Sequence, residues 1–135
     1  MPFRTKYVTL QEIYTQMKRL SKDLKTIVNG IQDKKGRNIK VLDLRKCGDT
    51  ITDYLVICEG NTPTQVHAIM QSVGDIMRKE LDERPVAVEG TRNCFWVAMD
   101  YADVMVHVFV PEYREFYDID HLWEDAESTD IPNID

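Results

Sequence analysis

Two apolar runs joined by a four-residue link, Cys94–Met99 and Val104–Val110 around Asp100-Tyr101-Ala102-Asp103, constrain this chain more than any other stretch. In the first run Phe95, Val97 and Met99 alternate with Cys94, Trp96 and Ala98, the period of two that a strand imposes. Aspartates at both ends of the link favour a turn, because their short carboxylates bond nearby backbone amides. The second run sets Val104, Val106, Val108 and Val110 on one face and Met105, His107 and Phe109 on the other. Both faces are largely apolar, so this strand is expected to be covered on both sides. Pro111 stops it, since proline has no N–H to give to a ladder. A short helix is expected from there, carrying Tyr113, Phe116 and Tyr117, with Leu122 and Trp123 beyond.

Upstream, Thr9-Leu10-Gln11-Glu12 has the form of a capping box, in which hydroxyl and carboxylate each satisfy a free amide at a helix start. Leu10, Ile13, Tyr14, Met17, Leu20, Leu24, Ile27, Val28 and Ile31 then keep the three-four spacing of one helix face. Gly30 and the polar residues 33–37 are expected to end that helix. Strands are expected at Ile39–Leu44, Asp53–Glu59 and Pro85–Glu89. Between the second and third, Thr62 is placed as an N-cap, Pro63 as the first helical residue and Gln65 as the return arm of a capping box. Val66, Ile69, Met70, Val73, Ile76 and Met77 form the buried stripe of the helix that follows. A strand-helix-strand crossover followed by a hairpin implies a single α/β domain with a mixed five-stranded sheet and packed helices. Residues 1–23 form a helical extension, 24–125 the domain, and the acidic 126–135 a tail expected to be disordered.

Charge is distributed unevenly. The first forty residues hold ten Lys/Arg and three Asp/Glu, whereas the remainder holds seven and twenty. An acidic body repels phosphate, so broad contact with nucleic acid is not expected, and its natural partners are basic protein surfaces. No apolar run approaches the ~20 residues that span a bilayer, so no membrane role is expected. The N-terminal residues lack the apolar core of a signal peptide, and their spacing is that of a packing helix rather than a presequence. Cys47, Cys58 and Cys94 are odd in number and widely spaced, which fits buried thiols in a reducing cytoplasm and not a zinc site.

Enzyme chemistry finds little support. No Walker loop, dinucleotide fingerprint or nucleophile elbow occurs. Cys58 and Cys94 lie in strands without an adjacent histidine or basic residue. His107 lies alone in an apolar strand, and neither His67 nor His121 supplies a second ligand at workable spacing, so no metal or cofactor is expected. What remains is a surface. Trp96, Tyr101, Tyr113, Tyr117 and Trp123 mingle with Asp100, Asp103, Glu112, Arg114 and Glu115, and aromatic anchors with a charged rim are what protein interfaces favour. Phe95, Phe109 and Phe116 are assigned to the core.

The blocks DYLVICEG at Asp53–Gly60 and HVFVPEYREFY at His107–Tyr117, with VEGTRNCFWVAMDYADVMV before the second, resemble the ribosomal silencing factor family, also called Iojap-related. The resemblance runs from about Leu24 to about Asp125. It implies a fold like that of nucleotidyltransferases, and so raises a nucleotide-handling enzyme as the alternative function. Such an enzyme needs clustered carboxylates for two Mg²⁺ ions and commonly a Gly-Ser loop with Asp-x-Asp. Here Gly60 is followed by Asn61, and no Asp-x-Asp in the expected strand context is found. The family resemblance otherwise implies docking on the large ribosomal subunit, through its protein numbered fourteen, and steric blockade of subunit joining when nutrients are scarce. The implied docking residues are Trp96, Met99, Asp100, Tyr101 and Asp103, to which the next strand and helix add His107, Arg114 and Tyr117. The same aromatics could instead pair two copies of the chain off the ribosome. Relatives carry glycine where this chain has Ala102, so a positive φ in that turn would strain it.

Overall fold

The computed structural model describes Gln11, residues 20–48 and residues 50–134. Its first complete helix is α1 (Lys22–Asp33), followed by β1 (Arg37–Asp43), β2 (Tyr54–Glu59) and α2 (Pro63–Leu81). β3 (Ala87–Glu89), β4 (Trp96–Asp100) and β5 (Val104–Phe109) come next, then α3 (Pro111–Tyr117), α4 (Ile119–Leu122) and β6 (Glu127–Ile131). The sheet has six strands in the order β3-β4-β5-β2-β1-β6. Among the described strands only β2 and β5 pair in parallel, with Tyr54 opposite Val104 and Glu59 opposite Phe109, and α2 lies in the connection between them.

Six strands replace the expected five, because the tail expected to be disordered folds. Residues 127–131 pair antiparallel with β1, Ile39 opposite Ile131 and Asp43 opposite Glu127. Polar composition hid this strand. An edge strand needs few apolar residues, and of β6 only Ile131 is buried.

The long helix expected from Leu10 to Ile31 is also corrected. Leu20 lies in a bend, Ser21 is extended, and α1 starts afresh at Lys22 with the Ser21 hydroxyl accepting from the Leu24 amide at 3.4 Å. The helix thus crosses the expected boundary at residue 23. The proposed cap at Thr9 to Glu12 lies outside the described residues, apart from Gln11, which is helical. Gly30 does not end α1 but sits inside it. A Cβ there would lie 2.9 Å from the Ile76 side chain and 3.1 Å from the Val73 Cα, so glycine lets α1 and α2 touch backbone to backbone. The Ser72 hydroxyl donates to the Gly30 carbonyl across this contact at 2.7 Å.

The cap of α2 forms largely as the sequence implies. Thr62 Oγ1 accepts from the Gln65 amide at 3.2 Å, and Gln65 Oε1 accepts from the Asn61 amide at 2.7 Å. Gln65 Nε2 also donates to the carbonyls of Lys34 and Lys35, which holds the α1–β1 connection against the start of α2.

Both helices cover one face of the sheet. Leu24, Ile27, Ile31, Ile69, Val73 and Met77 pack there on Val41, Val56, Val97, Met99, Val106 and Val108. The other face carries Leu42, Leu55, Ile57 and Phe109, with Trp96, Met105, Ile119 and Trp123 partly buried around them. α3 and α4 roof only part of that second face. What they leave open becomes the candidate site.

Candidate partner-binding face

Strand parity decides which residues of the hairpin reach each face. In β4, Val97 and Met99 point into the helix-packed core, and both are buried. Trp96 and Ala98 point to the other face, opposite Phe109 and His107 of β5. There the Trp96 ring stacks on Phe109 with centroids 4.8 Å apart and leans on Tyr117 of α3 at 4.9 Å. Its Nε1–H donates to His107 Nδ1 at 2.9 Å. That bond requires an unprotonated Nδ1, so His107 is neutral with its proton on Nε2. Burial pushes its pKa down to about 4. His107 therefore orients Trp96 and carries no charge near neutrality.

Beside this pair the sheet opens into an apolar groove of about 340 Å³, floored by Leu55, Met105 and His107 and walled by Ile119 and Trp123. Its mouth holds Ile51, which is 89% exposed. Phe116, Tyr117 and Leu122 add apolar surface on α3 and α4, at 79%, 49% and 71% exposure. Phe116 and Tyr117 connect through Trp96 to His107 in the groove, and apolar side chains linked in this way mark a face that binds something. Phe116, expected in the core, is part of this surface. α3 has only seven residues and buries none of them fully, so its outer side has nothing to pack on.

The turn at the end of the hairpin is built by Asp100, whose Oδ1 accepts from the Ala102 amide at 2.8 Å. Ala102 takes φ +71°, the left-handed conformation that glycine adopts without strain. The Asp103 carbonyl accepts from the amides of Asp53 and Tyr54, both at 3.0 Å, which pins the turn to the start of β2. Its side chain stays exposed. Tyr101 turns the other way. It is buried among the helix-packed residues at 8% exposure, so neither it nor Met99, at 2%, presents surface to a partner. Arg114 is likewise taken up internally. Nε and Nη2 grip both oxygens of Asp120 at 3.1 and 2.8 Å, while Nη1 reaches Glu59 at 3.0 Å and the Asn38 carbonyl at 2.6 Å. Burial opposes the guanidinium charge, but its hydrogen bonds and the charges of Asp120 and Glu59 prevail and raise its pKa. Sequence reasoning missed this clamp, since its partners lie 76, 55 and 6 residues away.

Cys58 lies wholly inside the sheet, and burial pushes its thiol up to about 12. Among the described residues no three of His, Cys, Asp and Glu are placed to hold a metal ion, and no helix is long and apolar enough to cross a membrane.

Residues 17–135 match the family model described as ribosomal silencing factor during starvation. The chain belongs to the ribosomal silencing factor family. It is 35% identical over 111 residues to the ribosomal silencing factor RsfS of Bacillus subtilis, covering 80% of this chain and 90% of that one. Identity to the RsfS of Halalkalibacterium halodurans is 32% over 114 residues, covering 82% and 93%. A crystal structure of a protein from Chromobacterium violaceum superposes with a TM-score of 0.71 at 32% identity, covering 87% of this chain and 88% of that one. The silencing-factor match includes β6, which the sequence resemblance stopped short of. Of the five residues that resemblance put forward and the three added from the next strand and helix, Trp96, Asp100, Asp103, His107 and Tyr117 lie on the groove face or the turn beside it. Met99 and Tyr101 support that turn from below, and Arg114 braces α3.

Proposed function

We propose that this chain represses translation by docking on the large ribosomal subunit, through its protein numbered fourteen, and so excluding the small subunit. The action is steric and non-catalytic, belongs to the cytoplasm, and serves cells short of nutrients. Family membership over residues 17–135 carries the reading. The groove and the aromatic side chains near it support it, because Ile51 at the groove and the linked rings of Trp96, Tyr117 and Phe116 offer apolar anchors on the face that also carries Asp100. An acidic body approaching an RNA-rich particle is repelled by phosphate and drawn to a basic protein, which selects a ribosomal protein as the point of attachment.

The reading is tested by titrating purified protein fourteen with the wild-type chain and with Tyr117→Ala and Asp103→Lys. Both side chains are exposed, and no hydrogen bond or ion pair joins either to another described side chain, so both variants are expected to fold. Each is expected to weaken binding by about tenfold or more, as loss of an anchor or reversal of a rim charge does. Full affinity in both folded variants would move the docking surface elsewhere.

A further inference from the structure

We infer that the groove beside Trp96 takes an apolar side chain from a basic segment of a protein partner, and that His107 Nε2–H donates to the backbone carbonyl that comes with it. The sheet fixes the place of this donor. His107 lies between Met105 and Phe109 of β5, on the face that α1 and α2 leave bare, with Ile57 opposite it in β2. The two nitrogens of an imidazole face different ways. Nδ1 accepts the Trp96 indole N–H at 2.9 Å, so the single proton of the neutral ring sits on Nε2.

That N–H has no acceptor among the described residues, although His107 is only 9% exposed. Nor is it sealed in. Among the described residues the enclosed side-chain atoms without a partner are Gln32 Nε2 and the Tyr101 hydroxyl, so His107 Nε2 keeps its access to the groove that the ring floors. A donor open on an apolar floor favours an occupant that brings an acceptor, because any other occupant would bury the N–H unpaired.

Two features say what the occupant is. The first is the lining of Leu44, Leu55, Met105, Ile119 and Trp123, which suits an apolar side chain and not a charged one. Ile51 stands at the mouth at 89% exposure; a small molecule lying in the groove would leave it in water, whereas a protein segment crossing the mouth would cover it. The second feature is charge. Thr52 of the lining runs into Asp53, Ile119 follows Asp118, and Trp123 precedes Glu124 and Asp125, all four of these acids being exposed. Leu44 is followed by Arg45 and Lys46, but these are paired with Asp43 and Glu127. An acidic rim repels a carboxylate, so the acceptor is a neutral carbonyl, and it draws a segment with lysine or arginine beside the apolar residue. The inference deepens the docking reading, and rests on it in taking the partner to be a ribosomal protein.

His107→Asn separates the two nitrogens. An asparagine oxygen stands where Nδ1 stood and can still accept from Trp96, while nothing reaches the Nε2 position. Binding to isolated large subunits is expected to weaken about tenfold, with the Trp96 fluorescence of the free chain unchanged because the indole keeps its acceptor. Ile51→Glu and Ile51→Lys both remove the apolar side chain at the mouth, and the lysine is expected to weaken binding several-fold more than the glutamate, since it meets a basic segment. Gln71→Glu and Gln71→Lys, exposed on α2 across the sheet, make the same changes in net charge and are expected to leave binding unaltered. A second arm needs no ribosome. N-acetyl-leucine methylamide, one apolar side chain between two carbonyls, is titrated into the labelled wild-type chain up to its solubility limit while methyl and imidazole NMR signals are followed. Saturable shifts at the Met105 and Ile119 methyls together with His107 Nε2 are the expected result. Full subunit affinity in a folded His107→Asn chain, the reverse order of the two Ile51 variants, or probe shifts that are absent or centred elsewhere would overturn the inference. A wild-type chain that shows the probe shifts but binds no subunit would overturn the docking reading and leave the groove assignment standing.

Discussion

Replacing His107 by glutamine probes the open face through its acid sensitivity. The folded chain holds this imidazole with a pKa of about 4, because it is buried and its Nδ1 accepts the Trp96 indole N–H. In the unfolded chain the ring returns to an ordinary value near 6.5. The folded pKa is depressed, so between these values the unfolded state binds the extra proton and stability falls as the pH falls. Neutral His107 contributes fully above about pH 6.5 and its contribution is gone below about pH 4. The gap between the two values amounts to about 3 kcal/mol across that window. His107 is only 9% exposed, so solvent does little to screen the effect. Glutamine can still accept from the Trp96 indole through its amide oxygen but cannot titrate. Urea unfolding followed by tryptophan fluorescence, repeated every half pH unit from 7.5 to 4, should show the wild-type chain losing about 3 kcal/mol more than His107→Gln. Parallel pH curves for the two chains, or an NMR titration of His107 with a midpoint near 6.5, would refute the neutral buried imidazole and its hydrogen bond.

Other perturbations test the frame around the site. Arg114→Met leaves Glu59 with Asn38 alone and Asp120 with Lys40 alone, in sites 16% and 21% exposed, and is expected to cost about 3 kcal/mol in urea unfolding; a variant as stable as wild type but weak in subunit binding would instead put Arg114 at the interface. Ala102→Gly relieves a positive φ but loosens the unfolded chain, so calorimetry should show a net gain of about 0.5 kcal/mol; a loss would mean that the alanine carries no strain. Truncation after Ala126 removes β6 and uncovers the outer edge of β1, and is expected to lower stability by about 3 kcal/mol or more through lost pairing and the burial of Ile131. An unchanged melting temperature would show that the strand contributes nothing to the fold.

The sequence was most informative where a pattern was both local and strong. The alternation in Trp96–Asp100 and Val104–Phe109, and the Thr62-Pro63-Gln65 start of α2, identified elements directly because each rests on neighbouring residues. Three-four spacing was a poorer guide at Leu20 and Leu24. Both pack on the same core across the break at Ser21, so the periodicity continues where the helix does not. β6 escaped because an outer strand is chosen by its partner more than by its own residues. At the site, the family resemblance put Tyr101 and Met99 among the docking residues. Strand parity, carried one residue beyond β4, sends both beneath the surface. The Arg114 clamp needed the folded chain, since it joins residues of different elements.

The central claim is tested most directly by sedimenting the purified chain with isolated large and small ribosomal subunits through a sucrose gradient at physiological salt, then adding the complementary subunit. The account predicts migration with the large subunit alone and a fall in joined ribosomes as the chain is added. Migration with the small subunit, or joining that proceeds undiminished with the chain bound, would contradict it.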